Sequence, residues 1–184
     1  YWAEKAQSGR EKEIKRCICC LYCIESMMNN AYTGDHGYCA VNPFVGNEKY
    51  VLKNDGKGRT AVIIGAGVAG LTAAELMAKR GYKTIVLEKN KDVGGQIDLA
   101  DKPPHKDKLS WCVEDLYNAC LAAGVDIELN TTATEDLVLS FNPYAVFVAT
   151  GGNAVKPRSI EGVDRPNVCT VTEILNGTVV LNNK

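Results

Sequence analysis

Four of the eight cysteines in this 184-residue chain stand between positions 17 and 23. Cys17, Cys20 and Cys23 recur at every third residue, and Cys39 follows, with Pro43 four residues after it. Three thiolates on one turning loop, with a fourth supplied from a distance, is the local spacing of ferredoxin-type cluster ligation. Four thiolates also suit tetrahedral zinc. Zinc sites more often pair two Cys-x2-Cys knuckles, and here the second half holds one cysteine. The spacing therefore favours a 4Fe–4S cluster on Cys17, Cys20, Cys23 and Cys39. Cys19 competes for a place in that set, because Cys19 and Cys23 are also plausibly spaced; its plainer reading is a spare thiol that shields the cluster.

A second constellation lies downstream. Gly65, Gly67 and Gly70 form Gly-x-Gly-x2-Gly, with Ala66, Val68 and Ala69 completing the loop. Gly65 permits the tight turn, Gly67 lets backbone amides approach a pyrophosphate, and Gly70 lets helix and strand pack closely. A helix N-terminus then offers unpaired N–H groups and partial positive charge to the phosphates. Glu88, with Lys89 beside it, follows twenty-three residues after Gly65 and is placed to accept hydrogen bonds from ribose hydroxyls. The bland alternative is a glycine-rich turn that binds nothing; strand, helix and acid in sequence weigh against it.

These groups need elements to hold them. Thr60–Ile64 is apolar without alternation, the pattern of a strand buried on both faces. Residues 68–79 read as a helix with Gly81 at its C-terminal cap. Thr84–Glu88 is a second buried strand, so the unit is a right-handed βαβ. A helix over 107–123, strands at 125–129 and 145–149, and a short strand candidate at 178–181 complete the reading. The fold class is thus α/β: a Rossmann-like parallel sheet preceded by a loop-rich cysteine segment. Residues 1–16 read as polar and helical, 17–58 as loops, and 54–58 as a linker, which divides the chain into 1–58 and 59–184.

Composition narrows the partners. The apolar share is 46% and the charged share 23%, ordinary for a globular domain. With a net charge of -1, nothing suggests nucleic acid or a membrane surface. The basic residues at 5, 10, 12, 15 and 16 interleave with Glu4, Glu11 and Glu13 as a solvated face would. No run is long enough to span a membrane, and no stretch reads as a signal peptide. Clustered cysteines ahead of a Rossmann-like unit favour metal binding in a reducing cytoplasm. Cys112, Cys120 and Cys169 read as small hydrophobes. His36 could tune a cluster, although an exposed loop histidine is the plainer reading, and His105 reads as a surface residue. Tyr22 and Tyr38 read as shields. No residue stands out as a general acid or base, so no catalytic residue is assigned. The chain opens Tyr1-Trp2 without methionine and stops at Asn182-Asn183-Lys184, so it reads as a piece excised from a longer protein.

With Ala74 and Gly81 the glycine motif extends further and resembles the FAD domain of the disulfide-reductase-like flavoproteins. That resemblance puts Gly94, Gly95, Gln96, Ala149, Thr150 and Gly151 against FAD and gives Ala133 a backbone contact to its adenine. Trp2-Ala-Glu-Lys, Gly9-Arg10, Arg16-Cys17-Ile-Cys-Cys20, Cys23-Ile24 and Cys39-Ala-Val-Asn-Pro43, all ahead of the motif, make nearly the whole chain similar to a family of iron–sulfur flavoenzymes. These are the relatives of old yellow enzyme: 2-enoate reductase, 2,4-dienoyl-CoA reductase and trimethylamine dehydrogenase, with 2-enoate reductase nearest. The resemblance implies an upstream TIM barrel with FMN and the small-molecule substrate site, and a downstream NAD(P)H domain. It implies electron flow from NAD(P)H through FAD and the cluster to FMN, then reduction of an activated C=C bond in a 2-enoate or enoyl thioester. It also implies a parent that could be a homo-oligomer, an incomplete flavin end to the FAD site, a second glycine-motif strand starting about 179–184, and no turnover from this piece alone. Two departures stand out: fifteen residues separate Cys23 from Cys39, longer than the family pattern, and Arg16 stands where proline is usual. Competing readings are the cluster-plus-FAD region of another flavin oxidoreductase, such as a glutamate-synthase-like small subunit, and a zinc-stabilised non-enzymatic module.

Overall fold

The computed structural model describes residues 2–47 and 49–181. Its centre is a four-stranded parallel sheet in the order β3-β2-β1-β4, built from β1 (Thr60–Ile64), β2 (Lys83–Leu87), β3 (Asp126–Glu128) and β4 (Ala145–Val148). The α/β Rossmann-like class expected from sequence is the fold observed. Ile64 pairs in register with Leu87 on one side and Val148 on the other, so the strands end together. From β1 the chain moves outward to β2 and β3 on one side, then crosses back to place β4 on the other side of β1. The crevice between the ends of β1 and β4 is the topological switch point where α/β sheets bind ligands.

The two faces of the sheet are covered differently. Ile63 and Val86 pack beneath α3 (Val68–Lys79) and α5 (Leu109–Ala122), against Leu71, Ala74, Leu116 and Cys120. Val62, Ile85 and Leu87 point the other way, to Val138 of α6 (Glu135–Ser140). This two-sided burial explains why β1 and β2 lack polar alternation. Thr134 caps α6, its hydroxyl accepting the Leu137 N–H at 3.3 Å. Gly81 ends α3 in the left-handed region at φ +83°, as expected.

The amino-terminal segment is less loop-like than expected. Helix α1 (Trp2–Gln7) breaks at Ser8-Gly9, and a 3-10 turn follows at Glu11–Glu13. Residues 22–30, expected as loop, form helix α2 (Tyr22–Asn30), entered through Leu21 at φ +60°. Short helices α4 (Ile97–Ala100) and α7 (Val171–Leu175) were also not anticipated. The strand expected at 178–181 does not form. The stretch pairs with neither edge strand of the sheet, β3 nor β4; instead the Val179 N–H donates to the Glu173 carbonyl and folds the chain back on α7. Positions 182–184, where the second glycine-motif strand was expected to continue, lie outside the described residues.

Candidate functional site: a dinucleotide cradle with a docked cysteine loop

Three backbone strips meet at the switch point. The Gly65–Gly70 turn leaves β1. The Gly94–Gly95 turn lies across it, with the Gly94 N–H donating to the Ala66 carbonyl at 2.9 Å and a parallel bridge joining Gly67 to Gly94. The segment after β4 closes the third side: the Gln96 side-chain amide donates to the Gly152 carbonyl at 2.6 Å. The structure therefore brings together Gly65–Gly70, Gly94–Gln96 and Ala149–Gly151, which the sequence reading singled out from three distant stretches.

The glycines here do different work. Gly65 sits at φ +104°, and a Cβ on it would lie 2.5 Å from the Ala149 carbonyl oxygen. A Cβ on Gly70 would overlap the Gly65 carbonyl, so that glycine allows α3 to seat on β1. Gly67 is different: its backbone is extended, and a Cβ there would meet nothing within 4 Å. Open space stands directly over the turn, at the N-terminus of a twelve-residue helix with no side-chain cap. The opening amides of Val68, Ala69 and Gly70 have no intrahelical acceptor. A pyrophosphate fits this cradle in shape and in charge.

Glu88 is buried at 5% exposure. Its Oε2 accepts the Ala66 N–H at 2.7 Å and its Oε1 accepts the Asn90 N–H at 2.9 Å. The carboxylate thus ties the glycine turn to the end of β2, and lone pairs remain on both oxygens for a ribose. Lys89 is exposed beside it. Ala133 is half-buried against the Val62–Ile85–Leu87 cluster, and the Thr131 N–H donates to the Glu88 carbonyl at 2.8 Å, which puts the 131–133 segment alongside Glu88. Asp98 lies beside Gly94; burial pushes its carboxyl above the usual value, and Asp101 adds to the shift.

The cysteine segment is built on the same domain. Cys17, Cys19, Cys20 and Cys23 are exposed, Cys39 is half-buried, and all eight cysteines are free thiols. Cys19 and Leu21 both take left-handed backbone conformations, at φ +56° and +60°, which wrap the loop before α2. The Cys19 N–H donates to Cys17 Sγ at 3.4 Å, and Lys108 Nζ donates to Cys19 Sγ at 3.4 Å. Cys39 is brought back by Ser26, a residue the sequence reading missed. Ser26 is the buried residue of α2; its hydroxyl donates to the Cys23 carbonyl at 3.0 Å and accepts the Tyr38 N–H at 2.8 Å. Gly37 permits the approach, since a Cβ there would strike Met27 and stand 3.3 Å from the Cys23 carbonyl. The donor set, four thiols with an N–H donor to sulfur, suits an iron–sulfur cluster in kind. Among the described residues, no three His, Cys, Asp or Glu side chains already converge as a metal cage.

His36, read from sequence as a loop histidine near the cysteines, is half-buried. It pairs with Asp35 at 2.9 Å and lies edge-on to Tyr38, 4.9 Å between ring centroids. The Tyr38 hydroxyl donates to Asp35 at 2.7 Å, which holds the Asp35 carboxyl below its usual range and the phenol above its own. Cys120 is buried in the core as a hydrophobe, its thiol pushed up to about 12 by burial. Among the described residues no helix is long and apolar enough to cross a membrane.

A family model described as an NAD(P)-binding Rossmann-like domain matches residues 63–111. The chain is 34% identical over 183 residues to the NADH oxidase of Thermoanaerobacter brockii, covering 97% of this chain and 28% of that protein. It is 36% identical over 147 residues to the cinnamate reductase of Clostridium sporogenes, covering 79% of this chain and 22% of the relative. Among solved structures, a 2-naphthoyl-CoA reductase in complex with 2-naphthoyl-CoA superposes with a TM-score of 0.85 at 31% identity, over 99% of this chain and 27% of that one. The chain spans 22% to 28% of the length of these proteins. The homologues bear out the resemblance to 2-enoate-reductase-type flavoenzymes: the chain is homologous to one segment of such oxidoreductases.

Proposed function

We propose that this chain is the electron-relay segment of an NAD(P)H-dependent flavoenzyme that reduces activated C=C bonds of 2-enoates or enoyl thioesters. The observation that carries the reading is the joining of two constellations. Lys15 and Arg16, just ahead of the cysteine loop, are tied to Glu75 of α3 and Asp115 of α5, and Cys19 in the loop meets Lys108 at the start of α5, so the loop is held by the helices of the nucleotide domain. The cradle at the switch point would hold FAD by its adenosine and pyrophosphate half. Gly67 leaves room for the phosphates, the α3 amides donate to them, and Glu88 accepts from the ribose. Gly94, Gly95, Gln96, Ala149, Thr150 and Gly151 would line the path toward the flavin, and Ala133 the adenine.

Cys17, Cys20, Cys23 and Cys39 would hold a 4Fe–4S cluster, whose chemistry is to pass electrons singly between carriers that exchange them in pairs. Within that arrangement Ser26 presents Cys39 to Cys23, and the left-handed residues Cys19 and Leu21 curl the loop that carries the other thiols. The names of two relatives support the substrate class: a cinnamate is a 2-enoate and a naphthoyl-CoA is a thioester. The barrel with FMN, the NAD(P)H domain and the substrate pocket would lie in the remainder of the parent chain. Our division at residues 1–58 and 59–184 has the linker pinned to the nucleotide domain, with the Gly56 N–H donating to the Arg80 carbonyl at 2.7 Å. A cytoplasmic location fits eight unpaired thiols.

The nucleotide half of the reading is tested by competition. FAD fluorescence should be quenched on binding, and ADP should displace it, because both would share the adenosine-pyrophosphate cradle. FAD binding that ADP leaves untouched would place the flavin elsewhere and remove this assignment.

A further inference from the structure

Helix α5 has two working faces. Val113, Leu116 and Cys120 face the core of the sheet. Lys108, Trp111 and Asp115, at i, i+3 and i+7, share another face, and the segment before and within the cysteine loop lies along it. Asp115 is 8% exposed. Its Oδ2 accepts the Arg16 backbone N–H at 2.7 Å and its Oδ1 accepts Arg16 Nε at 2.8 Å. The same guanidinium reaches Glu114 at 2.6 Å and lies 5.2 Å from the Trp111 ring centroid. Lys108, which reaches Cys19, stands 5.6 Å from that ring as well. One residue earlier, Lys15 reaches Glu75 of α3 at 3.0 Å, and Glu75 is 4% exposed.

We propose that Arg16 and Asp115 are a positioning pair that fixes the thiol-bearing loop at one place and orientation on the nucleotide domain. The inference rests on the relay reading for its purpose and on geometry alone for its existence. Arg16 is the residue immediately before Cys17, so whatever holds Arg16 sets the start of the Cys17–Cys23 loop. The bond uses the backbone amide as well as the guanidinium, so it fixes the chain and the side chain together. A proline at position 16 would have neither donor. Asp115 is buried on a helix whose opposite face is core, so the anchor point does not move independently of the sheet.

The test is hydrogen exchange by mass spectrometry on the full-length parent protein, purified without air, together with iron content and the EPR spectrum of the reduced protein. The variants are Arg16→Ala, Asp115→Asn and the two combined. Losing a hydrogen bond to a charged, buried partner should speed exchange of the 17–23 amides about tenfold or more. The double variant should fall short of the two single effects added together, because each single variant already weakens the guanidinium–carboxylate bond, while Arg16→Ala keeps the backbone N–H bond to Asp115. The reduced EPR signal should broaden with iron retained, a change that general destabilisation would not produce. Arg16→Ala leaves α5 intact, so it decides the matter if Asp115→Asn fails to fold. Unchanged exchange with unchanged line shape, or effects that simply add, would overturn the pair while leaving the relay reading in place. Faster exchange in a protein that holds zinc and no iron would keep the pair as an anchor and remove the relay.

Discussion

Glu88 and Ala66 are joined at 2.7 Å, carboxylate to backbone amide, across the root of the glycine turn. The bond reaches over twenty-two residues of chain and links the end of β2 to the turn after β1. Together with the Asn90 amide on its other oxygen, it makes the buried carboxylate a brace for the nucleotide cradle, beside its proposed contact to a ribose.

Replacing that brace should damage both fold and binding. Glu88→Ala leaves two amides without their charged acceptor, at a cost of about 2–3 kcal/mol. Urea unfolding should show that loss, and FAD affinity should fall at least about tenfold with the ribose contact gone. Glu88→Gln, which keeps an acceptor for one amide, should fall between the two. Wild-type stability in Glu88→Ala would mean that the turn is held by its neighbours alone.

The two inner glycines should separate stability from binding. Gly70→Ala drives a methyl into the Gly65 carbonyl and should destabilise by about 1–3 kcal/mol through overpacking. Gly67→Ala has open space and an extended backbone, so the melting temperature should hold. Its methyl would occupy the volume reserved for phosphate, so FAD and ADP binding should be lost. A Gly67→Ala protein that binds ADP normally would show that the open space over the turn is not the phosphate site.

Much of this could be read from the sequence, for identifiable reasons. The β1–α3–β2 unit announces itself because strands buried on both faces carry unbroken apolar runs and because Gly81 marks the helix end. Helix α2 gives no such notice: its cap position is Leu21 in a left-handed conformation, with no Ser, Thr, Asp or Asn to signal a start. Ser26 could not be singled out, since its partners are a carbonyl three residues back and an amide twelve residues ahead. The Arg16–Asp115 bond spans ninety-nine residues and leaves no local trace beyond an unexpected residue before a cysteine. The 178–181 stretch has strand composition, but composition does not decide pairing, and the Val179 N–H goes to the Glu173 carbonyl instead of to an edge strand.

Thiol chemistry should sort the cysteines by place. In metal-free protein, alkylation should reach the exposed Cys17, Cys19, Cys20 and Cys23 quickly and leave Cys120, buried and pushed up to about 12, unmodified until unfolding. In the metal-loaded protein, Cys17, Cys20, Cys23 and Cys39 should become protected while Cys19, turned toward Lys108, stays reactive. Protection of Cys19 with labelling of Cys17 or Cys20 would reassign the ligand set.

Acid should loosen the same docking. Burial pushes Glu75 up, but Lys79 and Lys15 outweigh it and hold its carboxyl below the ordinary glutamate value of 4.5. A depressed folded value means the contribution is present above 4.5 and is lost as pH falls through the lower, folded value. Chemical unfolding across the acid range should therefore show a stability loss below that point which is smaller in Glu75→Gln. Identical profiles for the two proteins would remove Glu75 from the acid response.

The central claim is that the cysteine loop holds an electron carrier beside a flavin domain. The most direct measurement is iron, sulfide and zinc content, with optical and EPR spectra, on the full-length protein purified without air. The account predicts about four irons with matching sulfide and a signal that appears on reduction, as thiolate-bound clusters give. Stoichiometric zinc with no iron, after reconstitution with iron and sulfide has been attempted, would contradict it.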